Sequence, residues 1–382
     1  MHPPRVPRWL LPLLVLAVAC LSGAAAAADV LAPPPSSDGP VVRHGCHRPA
    51  PTTAAGYQAL FDGKNDATWA GGDQAATVAL PGGRVLWLFA DTVRGARNAD
   101  GTRSPGSNLV HSSLLLQGGG CLTAIPSPQG AEAIPSTASG EWYWPKSAVV
   151  QGNELIVFAS RVRRTGPGPA DFASTGVDAA VFSLASGLPV FERMAATPSS
   201  RTPESGAQYG EALVRDGGWL LTYSSHKVAG ELGKAVGLAR VRPAQLLDPA
   251  AWQYWTGSSW SSRPAAARDE VTGTRDGWST SFSVFRTRAG DLRMLAKEDD
   301  VFGHDLITGT TDSPTHPFTR TVLGQAASGQ QPGELFYTAL AHPELPLEHG
   351  FVLASICRNN TSLQRVWSDT NLYKPQFFVV AG

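Results

Sequence analysis

Along most of the chain, apolar and polar residues alternate in short runs that end at Gly, Asp, Asn or Pro. VLWLFAD is followed by LVHSSLLLQ. SAVVQGNELIVFAS sets two runs around Gly152-Asn153, and EALVRDGGWLLTYSS sets two around Asp216-Gly217-Gly218. SFSVFRTRAGDLRMLAKE turns at Ala289-Gly290-Asp291, and YTALAHPELPLEHGFVLASIC repeats the plan with a longer, Pro-rich connection. Period-two alternation bounded by turn residues predicts strands paired as hairpins. No long amphipathic helical stretch interrupts the series; RPAQLLDPAAW offers at most a short turn of helix.

Five such strand–turn–strand units start near residues 73, 145, 210, 280 and 336. Their spacing is roughly 55–70 residues, a little above kelch-type blades. The expected fold is all-β, a five-bladed β-propeller over residues 56–382, because radial repetition protects sheet edges. A large β-sandwich or two all-β domains are the competing architectures. In a propeller, the residue just before each innermost strand sits at one mouth of the central channel. Asp73, the Trp144-Pro145-Lys146 corner, Tyr209, Glu211, Thr280, Ser281 and Tyr337 then converge on one face.

The first hairpin carries the sharpest chemistry. Strand-like runs Gln74 to Leu80 and Arg84 to Ala90 flank Pro81-Gly82-Gly83, where Gly supplies the positive φ of a tight turn. A three-residue loop pairs Leu80 with Arg84, and the same register faces Asp73 with Asp91; a one-residue slip would face Asp73 with Thr92. Facing carboxylates split their pKa values and so yield an acid and a base at one pH. Glycoside hydrolysis needs such a pair, the separation deciding between retention and inversion. Either Asp alone reads more readily as a strand cap or Asx-turn than as a catalyst; it is the pair that points to chemistry.

Glu211 in QYGEALV is the third expected carboxylate and an alternative acid, with Asp73 then the base and Asp91 the orienting or pKa-setting group; a solvated strand-initial Glu is its plain reading. Trp144, Tyr209, Tyr337, Lys146 and His342 are the expected sugar-binding residues, since sugars offer hydroxyls to polar groups and flat C–H faces to rings. Trp142 and Tyr143 are expected to line the cleft with Trp144, whereas Trp252, Trp255 and Trp260 are expected to pack an outer strand of the third unit. Asp299, Asp300 and Asp305 cluster with His304 but lack the spacing of an EF-hand loop, so no metal is assigned. With no CxxC pair, HExxH or G-x-S-x-G, zinc and serine-hydrolase chemistry have no sequence support, and no cofactor is expected. Asn359 in NNT matches a glycosylation sequon.

Composition narrows the setting. The 382 residues carry formal net charge +0, which gives no reason to expect nucleic acid as partner. Residues 1–28 read as a signal peptide, with Arg5 and Arg8, an apolar core from Leu10 to Cys20 and small residues from Ala24 to Ala28. The core is too short to span a membrane comfortably, so a secreted monomer with no integral membrane span is expected. Lipid attachment at Cys20 is the alternative. Residues 29–55 read as a Pro/Ala/Ser-rich linker. Export permits a disulfide, and Cys46 with Cys121 is the favoured pair; Cys357 reads as a buried thiol. Few Lys against many Arg points to a GC-rich, actinobacterial source.

W-x-G-G-D running into LPGGRVLWLFADT, then VHSS, WQYWTGSSW and YKPQFFVV, resembles the secreted family known as domain of unknown function 4185. That resemblance implies a five-bladed propeller related to arabinanase-like glycosidases. It implies endo-action on the D-arabinan of cell-wall arabinogalactan, as in glycoside hydrolase family 183, with the family's two acidic positions at Asp73 and Asp91. The chain departs from that pattern at Ser113, where Asn is expected. Taken together, the sequence predicts a secreted glycoside hydrolase acting on a polysaccharide through Asp73, Asp91 and Glu211. The alternative is a non-catalytic, lectin-like propeller.

Overall fold

The computed structural model describes residues 46–382, apart from 96–97, 104–107, 128–131, 169–170, 270–276, 327–331 and 346. The predicted signal peptide, Cys20 and most of the predicted linker lie outside the described residues.

The fold is all-β, with six antiparallel sheets. Five of them begin with the strands β1 (Ala76–Leu80), β2 (Glu141–Gln151), β3 (Gln208–Asp216), β4 (Phe282–Arg286) and β5 (Glu334–His342). Each sheet then adds its strands in sequence order. The sixth sheet is small and joins Gly71–Gly72, Thr92–Arg94 and Asn108–Val110. It prolongs the first sheet: Leu80 pairs with Arg84 and Ala76 with Leu88, and beyond a break Gly72 pairs with Thr92 in the same register. The turn has the expected backbone, with Gly82 and Gly83 at φ 79° and 70°.

β1 packs beside β2, β2 beside β3, β3 beside β4, β4 beside β5, and β5 beside β1. Between them lies a cavity of about 250 Å³ to which Thr77, Lys146, Glu211, Ser283 and Leu340 contribute, one from each of these strands. Apolar layers fill the space between neighbouring sheets. One holds Leu86, Leu88, Leu155 and Val157, and another Tyr223, Leu238, Trp278 and Met294.

One helix that the alternation does not announce precedes the sheets. Helix α1 (Ala54–Asp62) is capped by Thr53, whose hydroxyl accepts from the Gly56 N–H. It buries Tyr57 and Phe61 fully. Phe61 meets Trp87 of the first sheet at 4.8 Å and Phe377 of the fifth at 5.1 Å between ring centroids. Burying two such rings stabilises the junction by about 4–6 kcal/mol. The helix thus fastens the first sheet to the last. Cys46 and Cys121 form the expected disulfide, which ties the segment ahead of the helix to the first sheet, and Cys357 is a buried free thiol. No helix among the described residues is long and apolar enough to cross a membrane.

Candidate active site

Between β1 and the small sheet the backbone breaks. Gln74 and Ala75 adopt φ 75° and 60°, a left-handed pair that non-glycine residues enter at a cost. The break lets the Asp73 N–H donate to the Asp91 carbonyl at 3.1 Å while the Ala90 N–H donates back to the Asp73 carbonyl. Asp73 and Asp91 therefore lie opposite each other, as the hairpin register requires. The next strand over continues the row: Phe89 pairs with Ser113 and Thr92 with Val110, which places His111 opposite Asp91. Asp73, Asp91 and His111 stand on three neighbouring strands at one level.

Their side chains are tightly held. Asp91 is buried, and its Oδ1 bonds His111 Nδ1 and accepts from Trp144 Nε1, each at 2.7 Å. Asp73 Oδ2 accepts from the hydroxyls of Tyr337 at 3.0 Å and Tyr373 at 3.2 Å. Its Oδ1 is enclosed and takes no hydrogen bond among the described residues. Burial, with the Asp91 charge beside it, pushes the Asp73 carboxyl up to about 8 against the pull of the two tyrosines. The surroundings of Asp73 thus favour its protonated form. Burial and then the Asp73 charge raise both phenols well above their ordinary value, so they remain donors. Asn359 Nδ2 donates to the Tyr337 hydroxyl at 2.9 Å. The sequon asparagine is thus buried behind the site.

A second polar group stands one sheet on. The registers of β2 and β3 shift between Pro145 and Ala148 and between Tyr209 and Ala212. Such bulges re-aim side chains; here the extra residues include Lys146 and Glu211, which meet as a buried ion pair. Ser225 Oγ also donates to Glu211 Oε1 at 3.0 Å, while the buried Oε2 takes no partner among the described residues. Burial raises the Glu211 carboxyl above its ordinary range despite Lys146 and Ser225. Gly210 makes the β3 bulge possible: its φ is +112°, and a Cβ there would meet Phe158 Cδ1 at 2.6 Å. Beyond Glu211, Lys234 pairs with Asp300 at 2.6 Å, and Asp300 accepts from the N–H and hydroxyl of Thr280. Ser281 reaches across to Gln74 at 3.3 Å.

β2 joins the two groups. Trp144 holds Asp91, and Lys146, two residues on, holds Glu211. Trp144 also meets Phe172 edge-on at 5.0 Å, and Trp142 stacks on His111 at 4.7 Å and 24°. The outcome is an aromatic wall beside two carboxylate groups, one favoured in its protonated form and one charge-paired. Among the described residues no group of three or more His, Cys, Asp or Glu could hold a metal ion.

The sequence profile of a domain of unknown function, DUF5005, matches residues 55–382. The chain belongs to the DUF5005 family.

This membership corrects the expected place in family 4185. Apart from its two Asp residues, the first hairpin that carried that resemblance is turn glycines and an alternating strand, which many hairpins share. Such a motif reports architecture rather than family. Among solved structures, a candidate hydrolase from Bacteroides ovatus ATCC 8483 is 20% identical with a TM-score of 0.69, over 85% of this chain and 88% of that one. It shares the fold with the DUF5005 chain. The GH43_1 enzyme from Xanthomonas citri complexed with xylotriose is 13% identical, TM-score 0.48, over 86% and 93% of the two chains. An endo-arabinase from Bacteroides thetaiotaomicron VPI-5482 is 9% identical, TM-score 0.46, over 83% and 96%. At those scores the likeness supports no statement about activity. No curated relative matches the chain.

Six of the eight expected site residues of the DUF5005 chain fall into these groups: Asp73, Asp91 and Tyr337, with Trp144 alongside, then Lys146 and Glu211. Two are elsewhere. Tyr209 is a packing residue, not a sugar platform: it lies between the second and third sheets against Trp252 and Tyr254, because the bulge turns Glu211 rather than Tyr209 inward. His342 is fully buried at the far end of β5 beside Trp87, and it bonds Thr77 Oγ1 at 3.0 Å and Ser355 Oγ at 2.8 Å. Burial pulls its imidazole down to about 3, so it stays neutral. Trp255 and Trp260 do lie on the outer strands of the third sheet. His111, Tyr373, Asn359 and Ser225 were not anticipated. His111 was within reach, since VHSS extends the register of Phe89 with Ser113 by two residues; Tyr373 follows a loop and has φ 61°, which no alternation announces.

Proposed function

We propose that this protein is a glycoside hydrolase on a five-bladed propeller, with Asp73 as proton donor and Asp91 as its charged partner. The succession of contacts from β1 round to β5 and back, about a shared cavity, supports the propeller. The observation that carries the chemistry is the enclosed Asp73 carboxyl set opposite Asp91 across the hairpin, an arrangement that raises it to about 8. A glycosidic oxygen leaves as an alcohol when it receives a proton as the C–O bond breaks. Asp73 holds that proton at neutral pH. The Asp91 carboxylate opposes the positive charge growing on the sugar and takes a proton from the incoming water. Glu211 and its partner Lys146 line the shared cavity and meet sugar hydroxyls there, and the Trp144–Phe172 corner offers a ring surface.

The substrate class is a polysaccharide. Furanose polymers, cell-wall D-arabinan included, are substrates to try, although DUF5005 membership does not single them out. Export of the chain fits a Cys46–Cys121 disulfide, which persists in oxidising surroundings.

The test is release of reducing ends from arabinan, arabinogalactan and xylan by the wild-type protein, Asp73→Asn and Asp91→Asn. Each variant is expected to lose at least about 100-fold in kcat, the scale of acid–base catalysis, while still binding the polymer. The enclosure of Asp73 Oδ1 favours a second reading, a non-catalytic sugar-binding module. Polymer binding by the wild type without turnover would establish that reading instead.

A further inference from the structure

His111 is bonded to Asp91, yet nothing in the acid–base reading requires it. Its environment is built from both neighbouring sheets. Its ring stacks on Trp142, its Nδ1 meets Asp91 at 2.7 Å, and its backbone N–H donates to Glu132 Oε1 at 3.3 Å. The imidazole is about four-fifths buried, with a side-chain exposure of 22%. The charged groups acting on it are Asp91 and Glu132 from the first sheet and Arg164 from the second. Burial and Arg164 oppose a charge on the ring; Asp91 and Glu132 favour it and prevail, so the imidazole is raised above its ordinary value. Glu132 is itself raised by burial, offset in part by His111 and Arg94.

We infer that His111 is a positioning residue for the carboxylate pair: its cation holds the negative charge on Asp91, opposite, and so leaves the pair's proton on Asp73. The inference rests on the reading of Asp73 and Asp91 as the reacting pair. Two carboxylates at one level can place a single proton on either member, and the bond each makes to its surroundings decides which. Asp73 faces two neutral phenols. Asp91 faces an imidazole nitrogen whose charged form its surroundings favour, and an indole N–H. The asymmetry of donors assigns the acid to Asp73 and the charge to Asp91. Trp142 fixes the plane of the ring, so the Nδ1 bond is aimed before substrate arrives.

His111→Phe tests this, since it keeps a ring on Trp142 and removes both donor and charge. Asp carboxyl carbons labelled with 13C are titrated by NMR in the wild type and the variant. Without the cation the pair holds its proton to higher pH, so its upper titration moves up by about one pH unit. The alkaline limb of kcat/KM moves with it. If Phe does not fold, His111→Gln keeps a donor without a charge and is expected to move the titration in the same direction. A titration of the pair that stays put in a folded variant overturns the inference, whatever the activity. A wild type without hydrolysis on any glycan sinks the glycosidase reading instead, and the two failures are told apart because the NMR titration needs no turnover.

Discussion

Replacing Asp73 by Asn should make the protein more stable at neutral pH, and by an amount that grows with pH. The enclosed carboxyl is raised from 3.8 to about 8. Between those values the folded chain binds a proton that the unfolded chain has released, so wild-type stability falls as pH rises through that window. At 1.36 kcal/mol per pH unit, the full penalty reaches about 5–6 kcal/mol above pH 8, and about 4 kcal/mol at pH 7. Asn has no such penalty. Its Oδ1 can still accept from Tyr337 and Tyr373, but its amide nitrogen takes the place of the unpartnered oxygen, which costs about 1–3 kcal/mol. The variant should therefore be level with the wild type or slightly weaker near pH 5, and about 1–3 kcal/mol more stable at pH 7. For a domain of about 330 residues the unfolding entropy is about 0.7 kcal/mol/K. The gain in Tm then climbs by about 2 °C per pH unit. Thermal unfolding of both proteins at pH 5, 6, 7 and 8 measures it. A Tm difference that is flat across that range would refute the raised carboxyl and the acid role built on it.

Tyr337→Phe removes a donor that pulls Asp73 downward, so the alkaline limb of hydrolysis should move to higher pH; an unchanged limb would separate Tyr337 from the acid. Lys146→Met leaves Glu211 buried without its cation and should cost about 3–5 kcal/mol in a urea titration. Pairing it with Glu211→Leu should recover most of that loss, and failure to do so would mean that the pair is not the energetic unit. Cys46→Ser opens a crosslink between positions 75 residues apart, worth about 4 kcal/mol by chain entropy. A Tm that did not fall would show the bridge to be dispensable.

The alternation of apolar residues made the strands and the turn positions legible, because period two is a local property. It placed the inner hairpins of all five sheets, and it gave the Leu80–Arg84 register, from which Asp73 opposite Asp91 follows. Helix α1 was not legible: its stripe is only Tyr57 and Phe61, too short for periodicity to speak. Tyr209 was misplaced for a related reason. Strict alternation carried through QYGEALV cannot foresee a bulge, and the bulge decides which side chain turns inward. His342 is the last residue of β5 and lies beyond that strand's bulge from Tyr337, so residues on either side of a bulge must be kept apart when a mouth is assembled. The family was not legible because, the two Asp residues aside, the hairpin that looked diagnostic consists of glycines and alternating residues that the turn and the strand need in any case.

Trp144 and Lys146 explain why the site depends on more than its carboxylates. They are two residues apart on β2, one bonded to Asp91 and the other to Glu211. In a regular strand both would share a face with their neighbours at i ± 2 and hold one fixed spacing. The shift between Pro145 and Ala148 releases that constraint, and Ser147, inside the same bulge, donates to the Gly210 carbonyl at 2.7 Å. The two bulges are therefore locked to each other: β2 cannot straighten without losing the Gly210 contact, and β3 cannot straighten without driving Gly210 from its positive φ. The Ser147–Gly210 contact thus holds Lys146 and Glu211 at the bulges that seat their ion pair. A substitution that restores regular pairing at Ser147 or Gly210 should thus alter the site while leaving all three carboxylates in the sequence.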